Sequence, residues 1–339
     1  MDMGTPDVRY VSGLCREFLY YRYFANMYKV VRITSYDSGD ILMKTIITKM
    51  IFFFAEKFKH TGKIRINIKR FFFPCYRFVC RVLWKYGYLY LYHVELPVTQ
   101  KCSLKCAKCC FFMPHFKNPI DYEVENLLGY MDKLFECIDA IQIFRILGGE
   151  PFLYKDLEAI INKALTCSKV KTIDIVTNGT IIPDEKLLFM MRNPKLTVQI
   201  SDYGRYSRNK VALKTMCDEV GVKCVVRSAK EKVWFDAGGL ENRGRNINEM
   251  KKQLKHCGNI CRSFHNGRLY FCPRASFGTK LGIPDCKKDY VDFNECYSRD
   301  QLRTKVYELN QKKYLIACNY CDEGTDKFTP IPIAEQLSI

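Results

Sequence analysis

The 339-residue sequence contains no long apolar run. A helix that crosses a membrane needs about 18 or more consecutive apolar residues, and the nearest candidate, residues 41–55, is interrupted by lysines. The first residues also lack the basic and apolar regions of a secretory signal peptide. We therefore expect a cytoplasmic protein without a transmembrane span. Internal repeats and low-complexity tracts are absent as well.

The formal net charge is +18. Such a balance favours anionic partners: phosphorylated small molecules, acidic peptides, lipid headgroups or nucleic acid. The alternative is that the charge only keeps the protein soluble. Nucleic acid is the least favoured partner, because no recognition helix or RNA-binding motif is evident.

Cysteine is abundant, with 18 residues, and in a cytosolic chain this indicates metal binding rather than disulfides. Cys102, Cys106 and Cys109 form a Cys-x3-Cys-x2-Cys run. Three thiolates can hold a cubane iron–sulfur cluster and leave one iron open, whereas electron-transfer clusters are usually closed by four cysteines. The alternatives are buried thiols or a zinc site completed by Cys110, although adjacent cysteines rarely reach the same ion.

From about residue 90, hydrophobic periodicity predicts alternating strands and helices. Strands are predicted at 93–98, 140–147, 172–177, 196–201 and 223–227, and helices at 121–137, 157–165, 183–192 and 209–220. Right-handed βα units form a parallel sheet that curls into a full or partial barrel. Distinctive residues follow four strands, at the rim where such barrels carry their chemistry: the cysteine run, Gly148-Gly149-Glu150-Pro151, Asn178-Gly179 and Ser201-Asp202.

These motifs resemble those of radical S-adenosylmethionine (radical SAM) enzymes over about residues 90–325. The resemblance implies an α/β fold with a partial (β/α)6 barrel and a [4Fe-4S] cluster held by the cysteine run. Gly148, Gly149, Glu150 and Pro151 match a motif whose backbone binds the amino group of S-adenosylmethionine. Asn178, Ser201 and Asp202 are further expected cofactor contacts, the last two at the ribose. Lys108 departs from the family, which usually has an aromatic residue there, so Phe111 or Phe112 is expected near the adenine.

A second cysteine set resembles the auxiliary-cluster region of the SPASM and twitch subfamilies. Gly267-x4-Cys272 and Cys318-x2-Cys321 fit that pattern, and the first ligand is either Cys257 or Cys261. The resemblance implies one auxiliary [4Fe-4S] cluster, because the longer SPASM cysteine tail is absent after Cys321. A zinc ribbon would use the same ligands. Whichever of Cys257 and Cys261 is not a ligand is a candidate hydrogen-atom donor.

Three domains are expected. Residues 1–90 form a basic, aromatic N-terminal extension, which either packs on the main domain or makes a peripheral membrane contact. Residues 91–245 form the barrel, and residues 246–339 form the small, cysteine-rich, SPASM/twitch-like module.

The resemblance implies reductive cleavage of S-adenosylmethionine, with electrons from flavodoxin or ferredoxin, and hydrogen abstraction by the 5′-deoxyadenosyl radical. The preferred substrate is an anionic sugar or sugar conjugate that is oxidised or epimerised in polysaccharide or secondary-metabolite synthesis. The alternatives are a peptide-modifying maturase and, in another class, a non-catalytic zinc or iron–sulfur protein.

Overall fold

The computed structural model describes residues 65–227 and 234–337. Most of the predicted N-terminal extension, with its predicted membrane contact, therefore lies outside the described residues. Residues 60–339 form one compact unit. In the described ranges, no helix combines the length and the apolar character needed to cross a membrane.

One mixed sheet organises this unit, in the strand order β5-β4-β3-β2-β1-β7-β8-β9. Six neighbouring strands, from β5 through β1 to β7, are parallel, and the last two pairings are antiparallel. The strands are β1 (Tyr90–Pro97), β2 (Ala140–Leu147), β3 (Val170–Thr177), β4 (Leu196–Ser201), β5 (Cys224–Arg227), β7 (Cys261–His265), β8 (Arg268–Tyr270) and β9 (Tyr290–Asp292). A separate antiparallel pair joins β6 (Trp234–Phe235) to β10 (Pro330–Ile331). The parallel strands confirm the predicted partial barrel.

The helices cover the sheet with apolar faces. They are α1 (Arg65–Lys85), α2 (Val124–Cys137), α3 (Leu157–Thr166), α4 (Glu185–Met190), α5 (Lys210–Val220), α6 (Ile247–Cys257), α7 (Pro273–Gly278) and α8 (Arg299–Asn310). In α2 the buried residues Leu127, Met131 and Leu134 recur at helical spacing, which places them on one core-facing side. All five predicted strands and all four predicted helices are present. Their ends differ from prediction by at most three residues, as at the start of β1 (90 against 93).

A hairpin of β7 and β8 turns at Asn266 and Gly267, and it extends the barrel sheet. Asn266 and Gly267 both have positive φ, at 51° and 72°, the conformation of a tight two-residue turn between twisted strands. Strand β7 pairs in parallel with β1, with His93 opposite Cys261. The C-terminal segment thus contributes a strand beside the first barrel strand, and the predicted boundary at residue 245 stays a prediction.

Candidate active site

The loop that carries Cys102, Cys106 and Cys109 leaves β1 and is fastened to the end of β2. Gly149 N donates to Thr99 O at 2.9 Å, and Glu150 N donates to Lys101 O at 2.8 Å. These two bonds continue the β1–β2 pairing beyond the strands, so the cysteine loop and the Gly148–Pro151 motif form one backbone unit.

Two glycines make this close approach possible. A Cβ on Gly148, whose φ is 155°, would lie 2.4 Å from Thr99 O. A Cβ on Gly149 would lie 2.1 Å from Lys101 O and 2.9 Å from the Cβ of Cys102. Only a residue without a side chain fits at either position.

Glu150 is fully buried and links the ends of β2 and β3. Its carboxylate accepts hydrogen bonds from Thr177 Oγ1 and Asn178 N, both at 2.8 Å, and from Phe152 N at 3.2 Å. Burial outweighs these donors and raises the pKa of Glu150 to about 7. The Glu150 side chain thus ties the Gly148–Pro151 motif to the end of β3. A short helix, Pro151–Leu153, begins directly after Glu150. A contribution of Glu150 and Pro151 to S-adenosylmethionine binding stays a prediction.

Asn178 reaches back from β3 to the cysteine loop. Its Nδ2 donates to Ser103 Oγ at 3.0 Å and lies 3.7 Å from Cys102 Sγ. Its Oδ1 accepts from Thr180 N at 3.0 Å, which fixes the orientation of the amide. Asn178 therefore positions the residues around Cys102.

Ser201, the last residue of β4, and Asp202, which follows it, lie at the same rim. Ser201 is buried. The Asp202 carboxylate accepts from Gly204 N at 2.8 Å and pairs with Lys210 Nζ at 2.6 Å. The structure therefore brings both residues to the predicted edge, and the ribose contact stays a prediction.

The three loop thiols suit a metal group. Burial raises the pKa of Cys102 to about 12 and also raises those of Cys106 and Cys109. All three are free of disulfides. A buried thiol that resists ionisation alone becomes a thiolate ligand when a cationic centre binds, so the donor set fits an iron–sulfur cluster.

Residues 96–202, from the end of β1 to just beyond β4, match the sequence model of the Radical SAM superfamily. This part of the chain is therefore a radical SAM domain. The radical SAM family implies a [4Fe-4S] cluster together with S-adenosylmethionine.

Several curated proteins resemble part of this radical SAM chain. The GTP 3′,8-cyclase of Campylobacter jejuni subsp. doylei is 37% identical over 98 residues, which cover 27% of this chain and 29% of that protein. The S-adenosylmethionine-dependent nucleotide dehydratase of Selenomonas ruminantium is 33% identical over 97 residues, 29% of this chain and 33% of that protein. The chain thus spans a third or less of the length of these relatives.

Among solved structures, BtrN in complex with AdoMet and 2-DOIA is similar to this chain. The match has a TM-score of 0.46 at 16% identity and covers 73% of this chain and 98% of that one. A likeness at this level supports no argument about the reaction.

Lys108, the departure from the radical SAM motif, has a half-exposed side chain that pairs with Asp236 at 2.8 Å. The two aromatic residues expected to replace it belong to one apolar cluster with Cys102 and Cys109. Phe112 is buried beneath the Arg274 guanidinium, 4.4 Å from its ring centre, and Phe111 meets Phe277 edge-on at 5.3 Å. Their contact with adenine stays a prediction.

Tyr203 is a neighbour of the radical SAM loop that sequence reasoning missed. Burial raises the pKa of its phenol, and the nearby thiols of Cys106, Cys109 and Cys110 raise it further. Its ring meets Trp234 edge-on, with ring centres 5.4 Å apart. The sequence feature that could have identified Tyr203 is its position directly after Ser201-Asp202, at the end of a barrel strand.

The second cysteine set gathers around the last turn of α6. Burial raises the pKa values of Cys272, Cys318 and Cys321, and neighbouring thiols raise those of Cys272 and Cys318 further. Gln253 Nε2 in α6 donates to Cys321 O at 2.7 Å. Cys257, one turn after Gln253, lies so close to Gly324 that a Cβ there would be 2.6 Å from Cys257 N.

Unlike Cys257 in α6, Cys261 is the first residue of β7 and lies against the barrel interior. Its Sγ lies 2.9 Å from His93 Nδ1 on the adjacent strand, and His93 Nε2 lies 3.7 Å from Glu95 Oε1. Burial lowers the pKa of His93 well below its usual range, so the ring is neutral and offers one donor and one acceptor. The three side chains form a thiol–imidazole–carboxylate series in which the imidazole and the carboxylate are buried and the thiol is partly buried.

The spacing in this series favours a hydrogen bond over a shared metal ion. A tetrahedral zinc ion with bonds of about 2.3 Å to sulfur and 2.0 Å to nitrogen would hold those atoms about 3.5 Å apart. The Cys261–His93 contact is shorter, at 2.9 Å, and the two ring nitrogens face different partners. The thiol and the imidazole therefore interact directly.

Charged side chains continue across this face of the sheet. Glu95, Arg145 and Asp174 are aligned neighbours on β1, β2 and β3. Arg145 lies 3.7 Å from Glu95 and 3.0 Å from Asp174, and Arg227 on β5 donates to Gln199 on β4 at 2.7 Å. The barrel interior thus presents alternating charges and hydrogen-bonding groups.

We expect Glu150→Gln to lower the free energy of unfolding by about 1–3 kcal/mol at about pH 5, because its amide nitrogen cannot accept from Asn178 N. The raised pKa means that the wild-type carboxyl stabilises the fold most below about pH 4.5 and loses this contribution as the pH rises through about 7. The decrease in the free energy of unfolding caused by Glu150→Gln should therefore be smaller at about pH 8.

Thermal unfolding of the full chain at both pH values tests this expectation. Glu158→Gln is the matched control, since Glu158 forms only an exposed pair with Lys186 and should change stability by less than about 1 kcal/mol. A cost for Glu150→Gln that grows with pH would contradict the raised pKa.

Proposed function

We propose that this radical SAM enzyme epimerises a sugar carbon in an anionic sugar conjugate, with Cys261 as the hydrogen-atom donor. The observation that carries this proposal is the contact between Cys261 and His93 in the barrel interior. It gives one thiol of the C-terminal segment a partner on the first barrel strand.

Cys102, Cys106 and Cys109 would hold the first cluster, and the rim residues Gly148, Gly149, Glu150, Pro151, Asn178, Ser201 and Asp202 would surround S-adenosylmethionine. When bound, this cofactor pair supplies a 5′-deoxyadenosyl radical that removes hydrogen from an unactivated carbon. The protein's part is to hold the substrate carbon in place and exclude water.

Cys257, Cys272, Cys318 and Cys321 are the proposed ligands of a second, auxiliary cluster. The thiols of the last three influence one another, and the α6 end is bonded to the 321–323 segment. Cys261 is left out, because its thiol is engaged by His93.

This assignment predicts different iron contents for two neighbouring cysteine variants. Cys257→Ala should lower iron from about eight to about four atoms per chain, whereas Cys261→Ala should keep about eight. Iron and acid-labile sulfide, measured after anaerobic purification, decide between them. The opposite ranking would make Cys261 the ligand, and stoichiometric zinc without sulfide would favour a zinc ribbon.

In the proposed reaction, the S–H bond of Cys261 breaks and a C–H bond forms on the opposite face of the substrate carbon. The resulting sulfur radical takes one electron from a low-potential donor such as reduced flavodoxin or ferredoxin. It takes one proton at the His93 contact, and Glu95 lies beside the other ring nitrogen. Each turnover thus inverts one carbon and restores the thiol.

Three features support an anionic sugar conjugate as substrate. The interior groups Glu95, Arg145 and Asp174 can hydrogen-bond to hydroxyl groups, and the chain carries a net charge of +18. Two relatives are named for GTP and for a nucleotide, and a nucleotide is itself a phosphorylated sugar conjugate.

Incubation in D2O with UDP-glucose and UDP-N-acetylglucosamine as probes tests the reaction. We expect 5′-deoxyadenosine and an inverted sugar with one deuterium bound to carbon, because the thiol exchanges with solvent. Cys261→Ser should still form 5′-deoxyadenosine but give no inverted product. Cys286→Ser is the control, since Cys286 has no assigned role.

A product that lacks two hydrogens and carries no deuterium would instead support oxidation, with the auxiliary cluster as electron acceptor. Turnover of a precursor peptide, with both sugar probes inert, would support the maturase alternative.

A further inference from the structure

The end of the described chain pairs with the cysteine loop through an isolated antiparallel bridge. Ala107 N donates to Glu335 O at 2.7 Å, and Leu337 N donates to Lys105 O at 2.9 Å. Cys106 and Gln336 are thereby paired as neighbours in an antiparallel bridge. Residues 334–337, here called the C-terminal strap, lie across the loop that carries the predicted cluster ligands.

The Gln336 side chain folds onto Cys106. Its Oε1 accepts from Lys105 N at 2.7 Å, and because a backbone N–H only donates, this contact fixes which end of the amide is oxygen. Nε2 then faces Cys106 Sγ at 3.3 Å and also donates to Ala334 O at 2.6 Å. Gln336 thus gives Cys106 an N–H···S hydrogen bond.

The residues that precede the strap are anchored to β6. Strand β10 pairs with β6, and Phe328 stacks on Phe235 with ring centres 4.6 Å apart. The fully buried Ala334 has a φ of 51°, a left-handed conformation that costs roughly 1–3 kcal/mol for a residue with a side chain. This local strain turns the chain so that Gln336 meets Cys106.

Hydrogen bonds to sulfur and solvent exposure are two main determinants of iron–sulfur reduction potentials. Reduction adds negative charge to the cluster, and an N–H donor stabilises that charge. Cys106 is only 7% exposed, so the donor acts in a poorly solvated place where its effect is larger.

We infer that Gln336 is a positioning residue of the first cluster, which raises the cluster's reduction potential through Cys106 and thereby eases reduction of the cluster by its electron donor. The inference rests on the proposed ligation of that cluster by Cys106. The strap is the part of the C-terminal segment that carries this effect.

Two variants test the role of the amide. Gln336→Met keeps the length of the side chain without a donor. Gln336→Glu keeps an oxygen for Lys105 N and replaces the donor to sulfur by a second oxygen. We expect both full-length proteins to retain wild-type iron, with a lower potential for the first cluster in Gln336→Met and a lower one still in Gln336→Glu.

Glu335→Gln is the matched control, because Glu335 is exposed and meets the loop through its backbone carbonyl; its potential should equal that of the wild type. The measurement is a redox titration followed by electron paramagnetic resonance, using the signal that responds to S-adenosylmethionine. Potentials unchanged in both variants at full iron would overturn the inference.

Loss of iron in both variants, with thermal unfolding of the protein unchanged, would also overturn it, since Gln336 would then serve assembly rather than potential. Absence of a cluster from the wild type would instead refute the proposed function. The two failures are therefore distinguishable.

Discussion

The close approach of Gly148 and Gly149 to residues 99–101 is the contact on which the rest of the site depends. It leaves no space for a Cβ at either glycine, and it aligns two backbone N–H groups with carbonyls of the cysteine loop. From this contact, Glu150 extends to the end of β3, and Asn178 returns from β3 to Ser103 beside Cys102. These hydrogen bonds therefore form a closed ring that joins the cysteine loop to the ends of β2 and β3.

The C-terminal segment is connected to this ring of hydrogen bonds through β1. Strand β7 pairs with the body of β1 and brings Cys261 to His93, while the strap pairs with the loop that follows β1. The second cysteine set is bonded to α6, which directly precedes β7. Strand β1 and the loop that follows it thus carry the loop thiols and contact both Cys261 and the strap. We therefore assign connected roles to these groups.

Much of the fold could be predicted, because strand and helix periods are local signals, and parallel strands place their following residues on one edge. The choice between Cys257 and Cys261 could not, since they lie four positions apart and either fits the spacing. Their separation depends on the β1–β7 register, a long-range pairing. The contact of Gln336 with Cys106 bridges 230 residues, and no local pattern signals it.

The most direct test of the account is electron paramagnetic resonance of the anaerobically purified, dithionite-reduced protein with and without S-adenosylmethionine. An open iron at the Cys102–Cys109 loop predicts a cluster signal that changes shape when S-adenosylmethionine binds, and that is lost when Cys102, Cys106 and Cys109 are replaced by alanine. A signal indifferent to S-adenosylmethionine, or one that persists in the triple variant, would contradict it.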